Sequence, residues 1–342
     1  MKTVLSLKAI NKSIAGAPVL KNLDLEVCEQ EFVAILGSSG SGKTTLLRLI
    51  SGFETPDSGT IQIANRVVFG AGKTVSAEDR RVGFVPQDAA LFPHLTVAKN
   101  IEFGLTKWSP ADRASRVSEL LKLVDLEGFD QRLPHQLSGG QRHRVALARA
   151  LAPKPDLILL DEPFSSLDAE LRVRLRMDVR NVIAKTGTTA ILVTHDQEEA
   201  LSIASRVAVL RDGEFAQIGI PSEIYREPTD VEMATFLGES VIISGVVQGE
   251  KIATALGLLT PLNKVSDGAR GRVAIRPESF YLQPNPKGEG EVTGRIYFGH
   301  DAIIEVMLPT LVIQARANGP FTPEVGMKVT VWVRGPVNFY AD

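Results

Sequence analysis

Residues 1–240 alternate between apolar runs and stretches of helical period, whereas residues 241–342 break into short apolar runs separated by turns. Glu31–Leu36, Leu157–Leu160, Thr189–Val193 and Val207–Leu210 are nearly continuous in apolar side chains. Strands covered on both faces have that pattern. Helical patterns lie between them, and the alternation predicts an α/β domain with a largely parallel sheet. One helix is clear at Ser109–Leu126: Ser109 caps it, Pro110 suits its first position, and Val117, Leu120, Leu121 and Val124 form an apolar stripe. Beyond residue 240 the strand-like runs are Val241–Val247, Arg272–Ile275, Gly294–Phe298, Ala302–Leu308, Leu311–Ala315 and Lys328–Val333. Turns such as Asn285-Pro286-Lys287-Gly288 and Asn318-Gly319-Pro320 separate them. Short strands at close spacing predict a small barrel or sandwich.

Length and charge narrow the picture. A chain of 342 residues fits about two domains. Lys plus Arg number 38 and Asp plus Glu 40, for a net charge of −2. That balance argues against an electrostatic nucleic-acid binder. The lone Cys28 permits no intrachain disulfide and fits a reducing compartment. No apolar run approaches the ~18 residues of a membrane span. The first residues also lack the apolar core of a signal peptide. The expectation is a soluble chain.

The chemistry begins at Gly37-Ser38-Ser39-Gly40-Ser41-Gly42-Lys43-Thr44, followed by Thr45. This matches G-x-x-x-x-G-K-[ST], with an apolar run before it and a helical run after it. Such a loop aims successive backbone N–H groups at a polyphosphate, and glycine is needed where a Cβ would block the approach. Lys43 is placed to reach the β- and γ-phosphates, and the Thr44 hydroxyl to ligate Mg²⁺. Downstream, Leu157–Leu160 ends in Asp161 and Glu162. Two adjacent acids at the tip of an apolar strand are costly unless something pairs them. Asp161 suits Mg²⁺, directly or through water, and Glu162 suits the general base for a hydrolytic water. A third feature, Leu137-Ser138-Gly139-Gly140-Gln141-Arg142, opens a helical pattern with Ser138 as its cap. It is a second helix start that could face an anion. Two such starts require two phosphate sites, or one site shared between two copies.

With these residues in view, the chain resembles the ATP-binding-cassette ATPases over about 240 residues. LSGGQ at 137–141 matches their signature, Gln87 in Val85-Pro86-Gln87-Asp88 their Q-loop, Ser165-Ser166-Leu167-Asp168 their D-loop, and His195 in Val193-Thr194-His195-Asp196 their switch histidine. The resemblance implies a P-loop NTPase domain at 1–238 with a helical subdomain at 88–136, then an all-β, OB-like regulatory barrel at 239–342. It implies ATP and Mg²⁺ as cofactors, with Glu162, His195, Lys43 and Gln87 catalytic and Thr44, Gln87 and Asp161 around the metal. Gly37–Thr45, Ser138, Gly139, Gly140, Gln141 and Asp168 would contact nucleotide. Two copies would close head to tail, Ser138 and Gly140 of one meeting the γ-phosphate held by Lys43 and His195 of the other. The remaining histidines, His94, His135, His143 and His300, have no such placement and read as structural or solvated. One departure stands out: where the family usually stacks an aromatic side chain on adenine, this chain has Ile14.

The β-rich tail resembles importers fed by a periplasmic binding protein. Such a subunit sits peripherally on the cytoplasmic face of the inner membrane, against permease subunits on other chains, and binds no nucleic acid. Leu91–Val97 resembles the groove that receives a permease helix. Gly52–Gly59, Leu91–Val97, Phe236-Leu237-Gly238-Glu239 and Ile275-Arg276-Pro277-Glu278 resemble the ferric-iron subgroup. Polyamine, sulfate or thiosulfate, and phosphonate import are the alternatives. A soluble ABC-type ATPase acting on nucleic acid or the ribosome is the competing class. It is disfavoured by the single phosphate loop and the lack of a sustained heptad run. In the tail, His300, Asp301 and Glu305 lack metal-ligand spacing and read as scattered polar residues.

Overall fold

A computed structural model describes residues 2–165, 168–319 and 322–342. The chain divides into two compact units, Met1–Ile224 and Tyr225–Asp342.

The first unit is built on a six-stranded sheet in the order Glu214–Gly219, Arg206–Arg211, Phe32–Leu36, Thr189–Thr194, Leu157–Asp161 and Val82–Val85. All neighbours run parallel except the hairpin partner Glu214–Gly219. The near-continuous apolar runs arise because both faces are covered. Val33, Ile35, Leu157, Leu159, Ile191 and Val193 face one core. Their alternates Phe32, Ile158, Leu160, Ala190 and Leu192 face the other. The first core is closed by the helix Lys43–Ser51, which buries Leu46, Leu47, Leu49 and Ile50, each side chain contributing about 2 kcal/mol. The second is closed by the helices Val97–Glu102, Pro110–Leu123, Gly139–Leu151 and Ala169–Thr186. The helix expected at Ser109–Leu126 runs Pro110–Leu123, with Ser109 Oγ accepting from the Asp112 N–H as its cap.

A second, antiparallel sheet joins the first core, in the order Ala17–Cys28, Thr3–Ile14, Ser58–Ile63, Arg66–Gly70 and Lys73–Thr74. The sequence reading did not foresee it. Thr3–Ile14 carries register shifts between Leu7 and Ile10 and again up to Ser13. Ala9 and Asn22 lie at positive φ (50° and 47°). Bulges of this kind break the two-residue alternation by which a strand is recognised.

The second unit is β-rich, with two five-stranded sheets around one core. One is ordered Gly257–Leu259, Lys251–Thr254, Val241–Gln248, Arg270–Ile275, Asn338–Ala341; the other Phe280–Pro284, Lys328–Val333, Gly290–Tyr297, Asp301–Met307, Val312–Asn318. Its start at Tyr225 lies upstream of the boundary expected at residue 239. Arg276 gives the physical reason. Its guanidinium donates to the carbonyls of Ala234, Gly238, Glu239 and Tyr225 and lies 4.2 Å from the centre of the Tyr225 ring. These contacts tie the short helices Pro221–Arg226 (from Tyr225 onward) and Val231–Phe236 to the β-rich unit.

Candidate functional site

Four strands of the parallel sheet end at the same edge, and each delivers one motif. Phe32–Leu36 runs into Gly37–Thr44, Thr189–Thr194 into His195, Leu157–Asp161 into Glu162, and Val82–Val85 into Gln87. Parallel α/β sheets place ligands beyond the carboxyl ends of their strands, so residues far apart in sequence meet there.

The phosphate loop is held tightly. Gly42 precedes the helix Lys43–Ser51 at φ 101°, and a Cβ there would lie 2.6 Å from Leu20 Cδ2. Glycine is required on both counts. Lys43 is 5% exposed, and its Nζ donates to the carbonyls of Gly37 and Ser38 at 2.9 and 2.8 Å. Burial pulls the Lys43 ammonium below its usual range, opposed by the nearby Glu162 and Asp161 carboxylates. Thr44 Oγ1 donates to Asp161 Oδ1 at 3.3 Å. Burial pushes the Asp161 carboxyl up, the Thr44 hydrogen bond opposes this, and the neighbouring Glu162 adds to the rise.

Glu162 sits at φ 43°, and its N–H donates to the Val193 carbonyl at 3.0 Å. A non-glycine residue in the left-handed region is held there by its surroundings, commonly at functional sites. Its Oε2 lies 2.9 Å from His195 Nδ1. Gln87 Nε2 donates to Ser165 Oγ at 3.0 Å, and Ser165 Oγ donates to the Glu162 carbonyl at 3.0 Å. Ser165 was quoted in the sequence as part of a motif but not as a site residue. Its place three residues after Glu162 was the available signal. Lys43, Thr44, Asp161, Glu162, His195, Gln87 and Ser165 thus form one constellation.

Ser138–Gln141 stands apart from it. Ser138 Oγ accepts from the Gln141 N–H at 3.3 Å while Gln141 Oε1 accepts from the Ser138 N–H at 2.9 Å. This reciprocal capping box satisfies two of the N–H groups at the start of the helix Gly139–Leu151 from within. A Cβ on Gly140 would come 3.1 Å from Leu171 Cδ1. Asp168 caps the helix Ala169–Thr186, its Oδ1 accepting from the Leu171 N–H at 3.0 Å. Ser166 and Leu167 of the same motif lie outside the described residues. Ile14 closes the strand Thr3–Ile14 and is 45% exposed.

Among the described residues, no group of three or more His, Cys, Asp or Glu side chains could hold a metal ion. At the constellation, however, a hydroxyl and a carboxylate adjoin, with a second carboxylate next in sequence and burial holding Asp161 up. Such hard oxygen donors suit Mg²⁺, which typically takes one or two carboxylates plus phosphate and water. In the β-rich unit Asp301 pairs with Arg316, and Glu305 Oε1 accepts from Thr293 Oγ1 at 2.8 Å. His143 is buried in its helix, and burial pulls its imidazole pKa down.

The ABC transporter family profile matches residues 20–165, and a TOBE domain profile matches residues 273–336. The Fe(3+) ions import ATP-binding protein FbpC 1 of Rhodococcus jostii is 49% identical over 99% of this chain and 99% of its own length. The chain belongs to the ABC transporter family. The sulfate/thiosulfate import ATP-binding protein CysA of Caulobacter vibrioides is 48% identical over 81% of this chain and 82% of its own. Among solved structures, an ATP-binding cassette captured as a post-hydrolysis dimer with ADP and Pi superposes with a TM-score of 0.55 at 35% identity. It covers 64% of this chain and 98% of that one. The chain is therefore an ABC ATPase, and its nucleotide is ATP. No helix among the described residues is long and apolar enough to cross a membrane.

Ile14 gives a direct test of base recognition. Stacking on an aromatic ring is worth ~1–3 kcal/mol per base in nucleic-acid complexes. Ile14→Tyr is expected to tighten ATP binding about tenfold in a nucleotide titration, the lower half of that range. Equal affinities would remove residue 14 from the adenine site.

Proposed function

We propose that this chain is the ATP-hydrolysing subunit of a binding-protein-dependent importer, with ferric iron as the cargo. The contact that carries the hydrolytic part is Glu162 Oε2 to His195 Nδ1 at 2.9 Å, at the edge where Lys43 and Asp161 also lie. Glu162 acts as general base for the attacking water, and His195 holds that carboxylate in place and faces the γ-phosphate. Lys43 and the loop N–H groups neutralise charge on the β- and γ-phosphates. Thr44, Asp161 and the Gln87 side-chain oxygen would hold Mg²⁺, which supplies further charge neutralisation when bound.

Two copies close head to tail, so that Ser138 and Gly140 of each complete the site of the other. Asp168 lies along the same seam. Closure then couples hydrolysis to motion. The dimer works against transmembrane permease subunits at the cytoplasmic face of the inner membrane, loaded from a periplasmic binding protein. The β-rich unit has a regulatory role. In this reading the ATPase domain spans 1–238, with its helical subdomain at 88–136.

The cargo rests on the likeness along the whole length to the Rhodococcus iron importer subunit. Sulfate or thiosulfate import is the second reading, favoured by the 48% identity to the Caulobacter subunit. Transport by the complex in reconstituted vesicles, offered ferric iron, sulfate, polyamine or phosphonate, separates them. Uptake of ferric iron alone is expected. Uptake of another solute in its place overturns the assignment.

A further inference from the structure

His195 is about half exposed, and its described side-chain bond goes to Glu162. Its aim therefore depends on the backbone that carries it. That backbone is fixed from behind by a buried carboxyl. Glu199 is 2% exposed, and its Oε2 accepts from Thr194 Oγ1 at 2.6 Å. Thr194 is itself 1% exposed and immediately precedes His195. The same Thr194 hydroxyl accepts from the Asp196 N–H at 3.0 Å, and Asp196 Oδ1 accepts from the Glu199 N–H at 3.1 Å. The hydrogen bonds form a closed ring through residues 194, 196 and 199, with His195 at its outer edge. The ring is anchored on two sides. The Thr194 carbonyl accepts from the Gly37 N–H at the start of the phosphate loop, at 3.4 Å. Arg172 Nη1 donates to Asp196 Oδ2 at 3.4 Å from the helix that Asp168 caps.

Burying a carboxyl costs free energy, and an apolar side chain would fill the same space without that cost. What Glu199 adds is the orientation of one hydroxyl. An acceptor at Glu199 makes the Thr194 hydroxyl donate inward, which leaves its lone pairs for the Asp196 N–H. We propose that Glu199 is a positioning residue for the hydrolytic site, holding the 194–196 loop so that His195 reaches Glu162. This rests on the hydrolytic reading of His195 and Glu162 given above.

The purified full chain is assayed for steady-state ATPase activity and for nucleotide affinity. Glu199→Ala is expected to lower kcat by about tenfold or more while ATP affinity stays within about twofold. Glu199→Gln keeps an acceptor oxygen for Thr194 and is expected to restore most of the turnover. The second pair keeps the test sharp if Glu199→Ala fails to fold. Thr194→Val should lose kcat as Glu199→Ala would, and Thr194→Ser should retain it. The inference is overturned if Glu199→Ala turns over like wild type, if Glu199→Gln falls as far as Glu199→Ala, or if affinity and kcat fall together. It is equally overturned if Thr194→Val turns over like wild type. His195→Ala is measured alongside. If it retains full turnover, the hydrolytic reading fails and takes the inference with it. If it loses turnover while Glu199→Ala does not, the inference alone fails.

Discussion

Glu162→Gln is expected to bind ATP within about threefold of wild type and to hydrolyse it about a thousandfold more slowly, since a positioned general base contributes ~10²–10⁴ in rate. The substitution keeps shape and removes the carboxylate's negative charge and, with it, the ability to take a proton. The amide oxygen can still meet His195 Nδ1, where the carboxylate now stands at 2.9 Å. The backbone of residue 162, at φ 43° with its N–H on the Val193 carbonyl, asks no more of glutamine than of glutamate. Loss of turnover therefore reports on proton transfer and not on a collapsed loop. If closure of two copies follows ATP binding, the variant should also accumulate as an ATP-bound dimer in size-exclusion chromatography. Undiminished steady-state activity would remove Glu162 from the role of base.

Lys43→Ala should show the opposite split. ATP affinity is expected to fall by about a hundredfold, from the loss of charge-assisted hydrogen bonds worth ~1.5–3 kcal/mol. The pinned ammonium now balances Asp161 and Glu162, whose carboxylates oppose the effect of burial on it. Without it, a polyanion would approach two acids and the bare carbonyls of Gly37 and Ser38. Nucleotide titration at two salt concentrations checks this, because the loss should be larger at low ionic strength, where the acids repel over a longer range. An unchanged affinity would mean that the loop N–H groups alone hold the phosphates.

The legibility of this site in the sequence has a simple cause. Each motif is a short stretch fixed to one strand end, and a parallel sheet gathers strand ends at one edge. Gly37–Thr44, Asp161 and Glu162 could therefore be named from their own residues, whereas Gln87 and His195 were named through the resemblance to the ATP-binding-cassette ATPases. Relations between strands were less visible. The antiparallel sheet of Thr3–Ile14 and Ala17–Cys28 was hidden because its bulges interrupt alternation. The strands Lys251–Thr254, Gly257–Leu259, Phe280–Pro284 and Asn338–Ala341 were also unforeseen, since runs of three to five residues are too short to show a period. The compact β-rich unit takes in residues 225–240 because Arg276 acts at long range, through hydrogen bonds that no local pattern announces. Ser165 was passed over for a related reason: its partner Gln87 is 78 residues away.

The capping box at Ser138 bears on how readily the proposed dimer would come apart. Without such a cap, the exposed N–H groups of Ser138 and Gln141 would be left to water. Here Gln141 satisfies the Ser138 N–H, and the Ser138 hydroxyl satisfies the Gln141 N–H, within a single chain. A lone copy thus has the groups of this cap already satisfied. If, in the proposed dimer, a partner's phosphate takes up the Gln141 N–H, it displaces an internal hydrogen bond that can reform when the phosphate leaves. Trading one hydrogen bond for another would suit the proposed contact, made and undone with each nucleotide.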